Sequence, residues 1–228
     1  MWRQTGPSRS MADESADRLS TPQTLGETSG AAGARPGPRP GAITLARHGE
    51  PALSRKIRFN APAYGDWWAR YEEGGLLPGQ TPPDSLKATA RRAGAVIAST
   101  RRRSIETATA VADGKAFATD PLFIEAPLPP PPWPRWIRMS PKNWGFFARF
   151  WWWFFDHHAG QESRAQAELR ADQAADLLID LSKNGQEVLL VAHGFFNTMI
   201  GLALQKRGLK KTVDQGFKYW CVKRFERP

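Results

Sequence analysis

The stretch that decides the fold of this chain is Ala42-Ile43-Thr44-Leu45-Ala46-Arg47-His48-Gly49-Glu50. Its short apolar run predicts a buried strand. The strand ends in an arginine and a histidine, and the glycine after them predicts a tight turn. Ligands of open α/β sheets bind at the carboxyl ends of the strands. The stretch therefore predicts a cation and an imidazole at the ligand-binding edge of a sheet, although a single histidine in such a place is more often structural.

Two further predicted strands also end next to residues with reactive or charged side chains. Residues 187–192 form an apolar run that ends at His193-Gly194, and residues 95–99 lead into a helix that opens with three arginines. Helices are predicted over residues 64–73, 84–92, 102–113, 144–155, 161–183 and 195–206, a short strand-like run over 122–124, and an edge strand over 217–225. Strands that alternate with helices predict an α/β fold, a three-layer α/β/α sandwich.

Length and composition predict one main domain. The chain has 228 residues, of which 41% are hydrophobic, enough for a sizeable core. Residues 1–40 are rich in Ser, Thr, Gly, Ala and Pro, so we expect a disordered tail followed by a domain over residues 41–228. A single cysteine, Cys221, is typical of a reducing compartment. With no apolar run of membrane-spanning length and no apolar signal-peptide core, the chain is predicted to be cytoplasmic.

The net charge and the spacing of the histidines indicate which classes of partner and cofactor the chain can bind. The formal net charge is +10 and the pI about 10.2, which favours an anionic partner or substrate. The basic residues form no nucleic-acid-binding motif, so we expect no nucleic acid. The histidines are His48, His157, His158 and His193. They form no recognised metal-binding pair, and we expect neither a metal nor another cofactor.

Three ordered motifs make the resemblance to a known family specific. They are Arg47-His48-Gly49-Glu50, the signature that runs from Ser99 through Arg103 to Thr107-Ala108, and Val191-Ala192-His193-Gly194. In this order and spacing the chain resembles the histidine phosphatase superfamily, in its phosphoglycerate mutase-like branch. The similarity spans roughly residues 42–205 and implies a phosphoglycerate mutase-like sandwich.

The resemblance implies a role for each matching residue. His48 would be the nucleophile that forms a phosphohistidine, and His193 would complete the pocket and stabilise the transferring group. Arg47 and Arg103 would bind the phosphoryl oxygens, and Glu50 is placed with them as a substrate-binding residue. Arginine suits this task because its planar fork bonds two oxygens at once. Arg101 and Arg102 are expected to be solvated neighbours.

A proton donor for the leaving group is also required. Glu125 stands where the family places its acidic residue, after the strand-like run at 122–124. The family's phosphatases usually continue with a glycine and a tryptophan, whereas this chain continues Ala126-Pro127-Leu128-Pro129. A surface glutamate is the alternative interpretation of Glu125, and Glu50 and Asp66 are weaker candidates for the acid.

Residues 126–158 form a Pro-, Trp- and Phe-rich insertion. Six of the ten tryptophans lie here, and no acidic residue occurs between Glu125 and Asp156, where Arg135, Arg138, Lys142 and Arg149 are found. The helix predicted over residues 144–155 would carry aromatic residues on nearly every side, so something must cover it. Three interpretations stay open: packing on the domain or in a homodimer, binding of residues 133–155 to an anionic membrane surface, and a lid over an apolar substrate.

These observations predict a metal-independent phosphomonoester hydrolase of the histidine acid phosphatase type, acting on a phosphorylated small molecule that is lipid-like or otherwise apolar. The protein is predicted to be cytoplasmic, and the membrane interpretation of the insertion would place it peripherally at the inner face of the membrane. A phosphoglycerate mutase-type transferase is one alternative, but the family's mutase motif around the acid is absent. A non-catalytic, membrane-associated phosphate-binding module is the other.

Overall fold

The computed structural model describes residues 40–228. The predicted disordered tail, residues 1–40, lies outside this part of the chain except for its last residue. The strands are β1 (Ile43–Arg47), β2 (Ala95–Ser99), β3 (Ala118–Asp120), β4 (Val188–Ala192), β5 (Lys210–Asp214) and β6 (Val222–Glu226). The helices are α1 (Ala61–Glu73), α2 (Asp84–Arg92), α3 (Arg102–Ala112), α4 (Pro141–Phe155), α5 (Arg164–Ser182) and α6 (Gly194–Lys206), with 3₁₀ turns at Pro121–Phe123 and Lys183–Gly185.

The six strands form one mixed sheet in the order β3-β2-β4-β1-β6-β5. β3, β2, β4 and β1 are parallel to one another, β6 is antiparallel to β1, and β5 is antiparallel to β6. β4 lies in the middle and all five of its residues are buried. A continuous apolar run is what a strand covered on both faces requires.

Two hydrophobic clusters cover the two faces of the sheet. On one face, α5 and α6 pack with Leu178 and Ile200 against Leu190; on the other, α2 and α3 pack with Leu86 and Val111 against Leu189 and Val191. The alternation of Leu189 and Leu190 between the two clusters follows from the two-residue period of a strand. The predicted three-layer α/β/α sandwich is therefore confirmed.

A third cluster is aromatic and joins α1 to α4. Tyr64 and Trp67 of α1 pack with Trp144 and Ala148 of α4. Helix α4 begins at a serine cap, since the Ser140 side chain accepts a hydrogen bond from the Asn143 N–H. Within residues 40–228, no helix has both the length and the apolar character needed to cross a membrane.

Two local predictions are wrong, and one strand was not predicted. Residues 122–124 do not form a strand, because Asp120 ends β3 and caps a 3₁₀ turn over Pro121–Phe123. The strand predicted at 217–225 is β6, which begins at Val222 and lies inside the sheet rather than at its edge. The edge strand on this side of the sheet is β5, whose five residues are all exposed, so no apolar periodicity marked it in the sequence.

Within residues 40–228, the helix of the insertion is covered on one side only, so what covers its other side stays open. Trp144, Ala148 and Trp152 are buried, whereas Phe154 and Phe155 are about two-thirds exposed. Residues four apart share a helix face, and the 144–148–152 series carries the contacts with the domain. The opposite face of α4 has no covering element among residues 40–228.

Candidate active site

The parallel pairing of β1 with β4 brings two histidines together. Arg47 pairs with Ala192 in the register, so the next residues, His48 and His193, leave the sheet at the same edge. The His48 N–H donates to the Ala192 carbonyl at 3.0 Å. The two imidazole rings are 5.2 Å apart between centroids, and their residues are 2% and 0% exposed. The structure thus brings together two of the predicted catalytic residues.

Arg103 joins the two histidines. It lies in the first turn of α3, which follows β2, the other neighbour of β4. Its Nε donates to His48 Nε2 at 3.3 Å, and its NH2 group lies 3.3 Å from His193 Nδ1. The remaining donors reach the carbonyls of Tyr71 and Glu72 and, at 2.7 Å, the Glu72 carboxylate. All five N–H donors of this buried guanidinium therefore have acceptors.

The hydrogen bonds assign a tautomer to each imidazole. His48 Nδ1 lies 2.7 Å from the Gly49 carbonyl, which can only accept, so Nδ1 carries the proton. The Nε2 lone pair of His48 consequently faces Arg103. In His193 the assignment is reversed: Nδ1 accepts from Arg103, and Nε2 donates to Ser99 Oγ at 2.9 Å. Both rings are neutral in this arrangement.

The pKa values agree with neutral rings. The pKa of His48 and that of His193 both lie well below the ordinary value near 6.5. Burial is the largest cause for each, because the charged form loses its hydration. The positive charge of Arg103 is the next cause in both cases. A neutral imidazole is the nucleophilic form of histidine.

Gly49 and Thr107 tie two of the motifs to each other. The Gly49 N–H donates to Thr107 Oγ1 at 3.0 Å, and the same hydroxyl donates to the Arg103 carbonyl at 2.7 Å. A Cβ on Gly49 would lie 2.3 Å from the indole of Trp220. The glycine is therefore required by the close approach of this ring, and the threonine by the contact between β1 and α3.

Arg47 lies beside the histidines but has different partners from Arg103. It donates to the Phe217 carbonyl, and its guanidinium stacks on the Tyr219 ring at 4.5 Å. Its Nε is buried and has no hydrogen-bond partner among residues 40–228. The stem lies 3.2 Å from the position that a Cβ of Gly194 would occupy, so Arg47 lies across the N-terminus of α6.

Glu125 is held at the N-terminus of α6, directly after His193. Its carboxylate accepts from the N–H groups of Phe196 at 2.9 Å and Phe195 at 3.3 Å. Arg149 of α4 lies 3.9 Å away and stacks on the Phe195 ring at 3.5 Å. Burial lowers the pKa of Arg149 to about 10. Arg149 thus faces the interior beside Glu125 and is not part of the outer surface of the insertion.

A cavity of about 580 Å³ opens next to these groups. Glu125, Glu72 and Arg101 line it together with Trp68, Ile124 and Arg170. His48, His193 and Arg103 are not part of the wall, but Glu72, which pairs with Arg103, is. Pro127 is the one residue of the 126–158 insertion among the lining residues that the structure describes. The cavity therefore adjoins the centre through Glu72 and is bordered by Glu125.

Two predicted carboxylates lie elsewhere. The side chain of Asp66 is exposed. Glu50 is also exposed, and its backbone forms a two-way hydrogen-bonded pair with the Gln80 side chain at 2.7 Å. Neither carboxylate contacts His48, Arg103 or His193 within the described residues.

Several residues of the centre were not predicted from the sequence. Glu72 bridges two arginines, with Arg103 at 2.7 Å and Arg101 at 2.8 Å. Arg101 was expected to be solvated and is instead half-buried at the cavity wall, whereas Arg102 is exposed as expected. Tyr219 lies 6.0 Å from the His48 ring. Glu72 and Tyr219 lie 31 and 116 residues away from the signature at 103, and no local pattern marks them.

Among residues 40–228, no group of three or more His, Cys, Asp and Glu side chains is placed to hold a metal ion. The positive charge that the centre offers to an anion comes from guanidinium groups.

Comparisons with known proteins identify the fold and the family. The family model of the histidine phosphatase superfamily (branch 1) matches residues 43–227. A mycobacterial hydrolase of known structure is 19% identical, with 81% of this chain and 88% of that chain covered and a TM-score of 0.51. A phosphoserine phosphatase from Entamoeba histolytica, solved with 3-phosphoglyceric acid, is 14% identical, with 82% and 97% covered and a TM-score of 0.50. A phosphoglycerate mutase from Bacillus anthracis is 15% identical, with 82% and 88% covered and a TM-score of 0.44.

The two structures with TM-scores of 0.50 and 0.51 show a shared fold, and identities below 20% show nothing beyond it. No curated protein sequence matches this chain significantly. The family model is more informative, because it covers more than four-fifths of the chain and includes both histidines and Arg103. This chain belongs to the histidine phosphatase superfamily (branch 1).

Proposed function

We propose that this protein is a phosphomonoester hydrolase that works through a phosphohistidine intermediate on His48. The observation that carries the proposal is the position of Arg103, a buried cation within 3.3 Å of both His48 and His193. Phosphoryl transfer spreads negative charge over the equatorial oxygens, so fixed cationic donors stabilise its transition state. A guanidinium between two neutral imidazoles supplies such donors.

In the first step, the lone pair of His48 Nε2 attacks phosphorus and the bond to the leaving oxygen breaks. The Gly49 carbonyl holds the proton on Nδ1 and stabilises the positive charge that develops on the ring. Arg103 exchanges its present acceptors for the phosphoryl oxygens, and the unpartnered Nε of Arg47 provides a further donor on the side of α6. His193 hydrogen-bonds to the transferring group, and Glu50 is retained as a predicted substrate-binding residue.

Glu125 donates the proton that the leaving oxygen needs. In the second step, its carboxylate takes a proton from water, the water oxygen attacks phosphorus, and the bond to His48 Nε2 breaks to release phosphate. The N–H groups of Phe195 and Phe196 support this role by orienting the carboxylate at the edge of the cavity. No metal ion is needed in this scheme, because arginines balance the phosphoryl charge.

The direct test is hydrolysis of an aryl phosphate such as p-nitrophenyl phosphate. We expect turnover that a chelator leaves unchanged and that His48→Ala abolishes, with His158→Ala as the matched control outside the centre. Rapid quenching should trap an acid-labile phosphoenzyme on Nε2 of His48. Full activity of His48→Ala would refute the mechanism.

Glu125 is tested by changing the leaving group. We expect Glu125→Gln to lower kcat by about 10²-fold or more for alkyl phosphates. Formation of the phosphoenzyme from p-nitrophenyl phosphate should fall much less, because nitrophenolate leaves without a proton. An equal loss for both substrates would remove Glu125 from the role of proton donor.

The same experiments decide between the alternatives. A phosphoglycerate mutase-type transferase would return the phosphoryl group to an acceptor alcohol rather than to water. A non-catalytic phosphate-binding module would bind orthovanadate without any turnover. The complete set of Arg47, His48, Arg103 and His193 favours hydrolysis over the non-catalytic alternative.

The finer part of the proposal concerns the substrate. We infer a lipid-like or otherwise apolar phosphate, reached by the protein at the inner face of a membrane, with histidine acid phosphatase-type activity. Trp68, Ile124 and Pro127 support this inference, since they give the cavity beside Glu125 an apolar wall. A screen that pairs soluble metabolites with lipid and isoprenoid phosphates tests it: higher kcat/KM for soluble sugar phosphates would refute it.

A further inference from the structure

One side of α4 exposes large aromatic side chains. We call Phe146, Phe150, Phe154 and Phe155 the exposed aromatic face; their exposed fractions are 65%, 39%, 65% and 64%. The opposite side of the helix is buried against the domain. Contiguous exposed apolar patches of this kind mark interaction sites, so we expect this face to bind a partner.

The face is continuous rather than a set of isolated residues. The Phe150 ring lies 4.7 Å from Phe154 and 6.1 Å from Phe155 between centroids. Trp151 extends the contacts from Phe155 to Trp133, at 5.3 and 5.2 Å. Trp133 thereby fixes the preceding loop against α4, and the loop carries Trp136, which is 79% exposed.

A cluster of unpaired cations adjoins this face. We call Lys56, Arg58, Arg135, Arg138 and Lys142 the basic cluster; all five are exposed. Reciprocal backbone hydrogen bonds between Phe59 and Met139, both of 3.0 Å, hold the two contributing segments together. None of the five forms an ion pair within residues 40–228, although most other arginines of the described chain do so. The cluster is therefore available to an external anionic surface.

We propose that the exposed aromatic face and the basic cluster together dock the protein on an anionic lipid bilayer. Aromatic rings partition into the interfacial layer, and lysines and arginines beside them bind acidic headgroups. The 15 residues of α4 span roughly 22 Å, too short to cross the hydrocarbon core, so the helix lies in the plane of the interface. This inference deepens the proposed function by naming the surface that meets a membrane-borne substrate.

The structure disfavours the two other occupants. The cavity beside Glu125 contains no residue of α4 in its wall, so the exposed aromatic face does not form a lid over it. In a twofold homodimer, the exposed aromatic face of one subunit would pack against the same face of the other subunit. The five unpaired cations beside the patch would then approach those of the partner, with no acidic residue between 126 and 155 to balance them.

Co-sedimentation with vesicles tests the proposal. The full chain should bind phosphatidylserine–phosphatidylcholine vesicles and bind pure phosphatidylcholine at least about tenfold more weakly. At about 1 M salt, where the Debye length is only ~3 Å, binding to the acidic vesicles should fall sharply.

Two combined variants and one control assign the surface. Phe146→Ser with Phe150→Ser and Phe154→Ser, and separately Arg135→Gln with Arg138→Gln and Lys142→Gln, should each lower vesicle binding about tenfold or more. Leu169→Ser, on α5 and 61% exposed, should not. Hydrolysis of p-nitrophenyl phosphate should be unchanged in all of them, so a failure of docking is distinguished from a failure of catalysis.

Two outcomes would overturn the proposal. One is equal vesicle binding by the wild type and the triple-phenylalanine variant. The other is no vesicle binding together with a concentration-dependent dimer in sedimentation velocity that the phenylalanine variant abolishes, which would assign the face to a second copy of the chain.

Discussion

The Glu72 carboxylate lies 2.7 Å from the guanidinium of Arg103 and is the one anionic partner of that cation within residues 40–228. Arg103 is 0% exposed and reaches both histidines, so Glu72 holds the group that we propose to bind the phosphoryl oxygens. A phosphate dianion entering from the cavity therefore meets a guanidinium that is already paired. In the proposed mechanism, Glu72 therefore positions Arg103 and also competes with the phosphoryl group for it.

Replacing the charge of Glu72 should separate these two effects. In Glu72→Gln the amide oxygen still accepts from Arg103, but the competing negative charge is gone. We expect a several-fold lower inhibition constant for inorganic phosphate and orthovanadate, and a lower Tm because a buried cation loses its counter-ion. The exposed neighbour Glu73→Gln should change neither. Unaltered inhibition in Glu72→Gln would show that the carboxylate does not compete with phosphate.

The planar fork of Arg103 should be essential. A lysine at this position keeps the charge but cannot reach both imidazoles at once. We expect Arg103→Lys to lower kcat/KM by at least about 10²-fold, the loss typical of a transition-state donor. Arg102→Lys, one residue earlier and exposed, is the control. Circular dichroism and Tm of the variant distinguish lost catalysis from lost folding.

Stability should fall on mild acidification. The folded-state pKa values of His48 and His193 are depressed by burial and by Arg103, whereas both residues titrate near 6.5 in the unfolded chain. Below pH ~6.5 the unfolded chain therefore binds more protons, and the free energy of unfolding falls as the pH falls. Above that pH these groups contribute no pH dependence.

The expected slope is up to about 1.4 kcal/mol per pH unit for each histidine until its folded pKa is reached. Urea unfolding at several pH values between about 7.5 and 5.5 measures it. His193→Gln should lose roughly half of the slope, and His158→Gln is the control. A free energy of unfolding that does not change over this range would mean that the rings are not held neutral.

The two sides of α4 should differ in their effect on stability. Trp144 is fully buried, stacks near Tyr64 at 5.9 Å, and donates to the Phe59 carbonyl at 2.7 Å. We expect Trp144→Ala to lower the free energy of unfolding by about 3–5 kcal/mol. Phe146→Ala, at an exposed position of the same helix, should change it by less than about 0.5 kcal/mol. Equal losses would show that the exposed face is covered in solution.

The strand ends and the three motifs were predictable because their information is local. An apolar run that ends in His48 or His193 marks both a buried strand and the edge where its last side chains lie. The parallel arrangement of β1, β2 and β4 then brings these ends together, so the partnership of Arg103 with the histidines follows from strand order. The 3₁₀ turn before Glu125 and the exposed strand β5 were not predictable, since neither has an apolar period.

The sequence alone determined the α/β sandwich, the family, and the side chains that meet at one edge of the sheet, because each is marked by a short periodic or ordered pattern. The tertiary structure alone decided that Glu72 pairs with Arg103 and that Arg149 turns inward to Glu125. It also decided which aromatic side chains of α4 face outward. The two ion pairs join residues that are 31 and 24 positions apart on separate helices and loops, so no local pattern marks them. A helix with aromatic residues on every side carries no periodic signal of the side that the domain will cover.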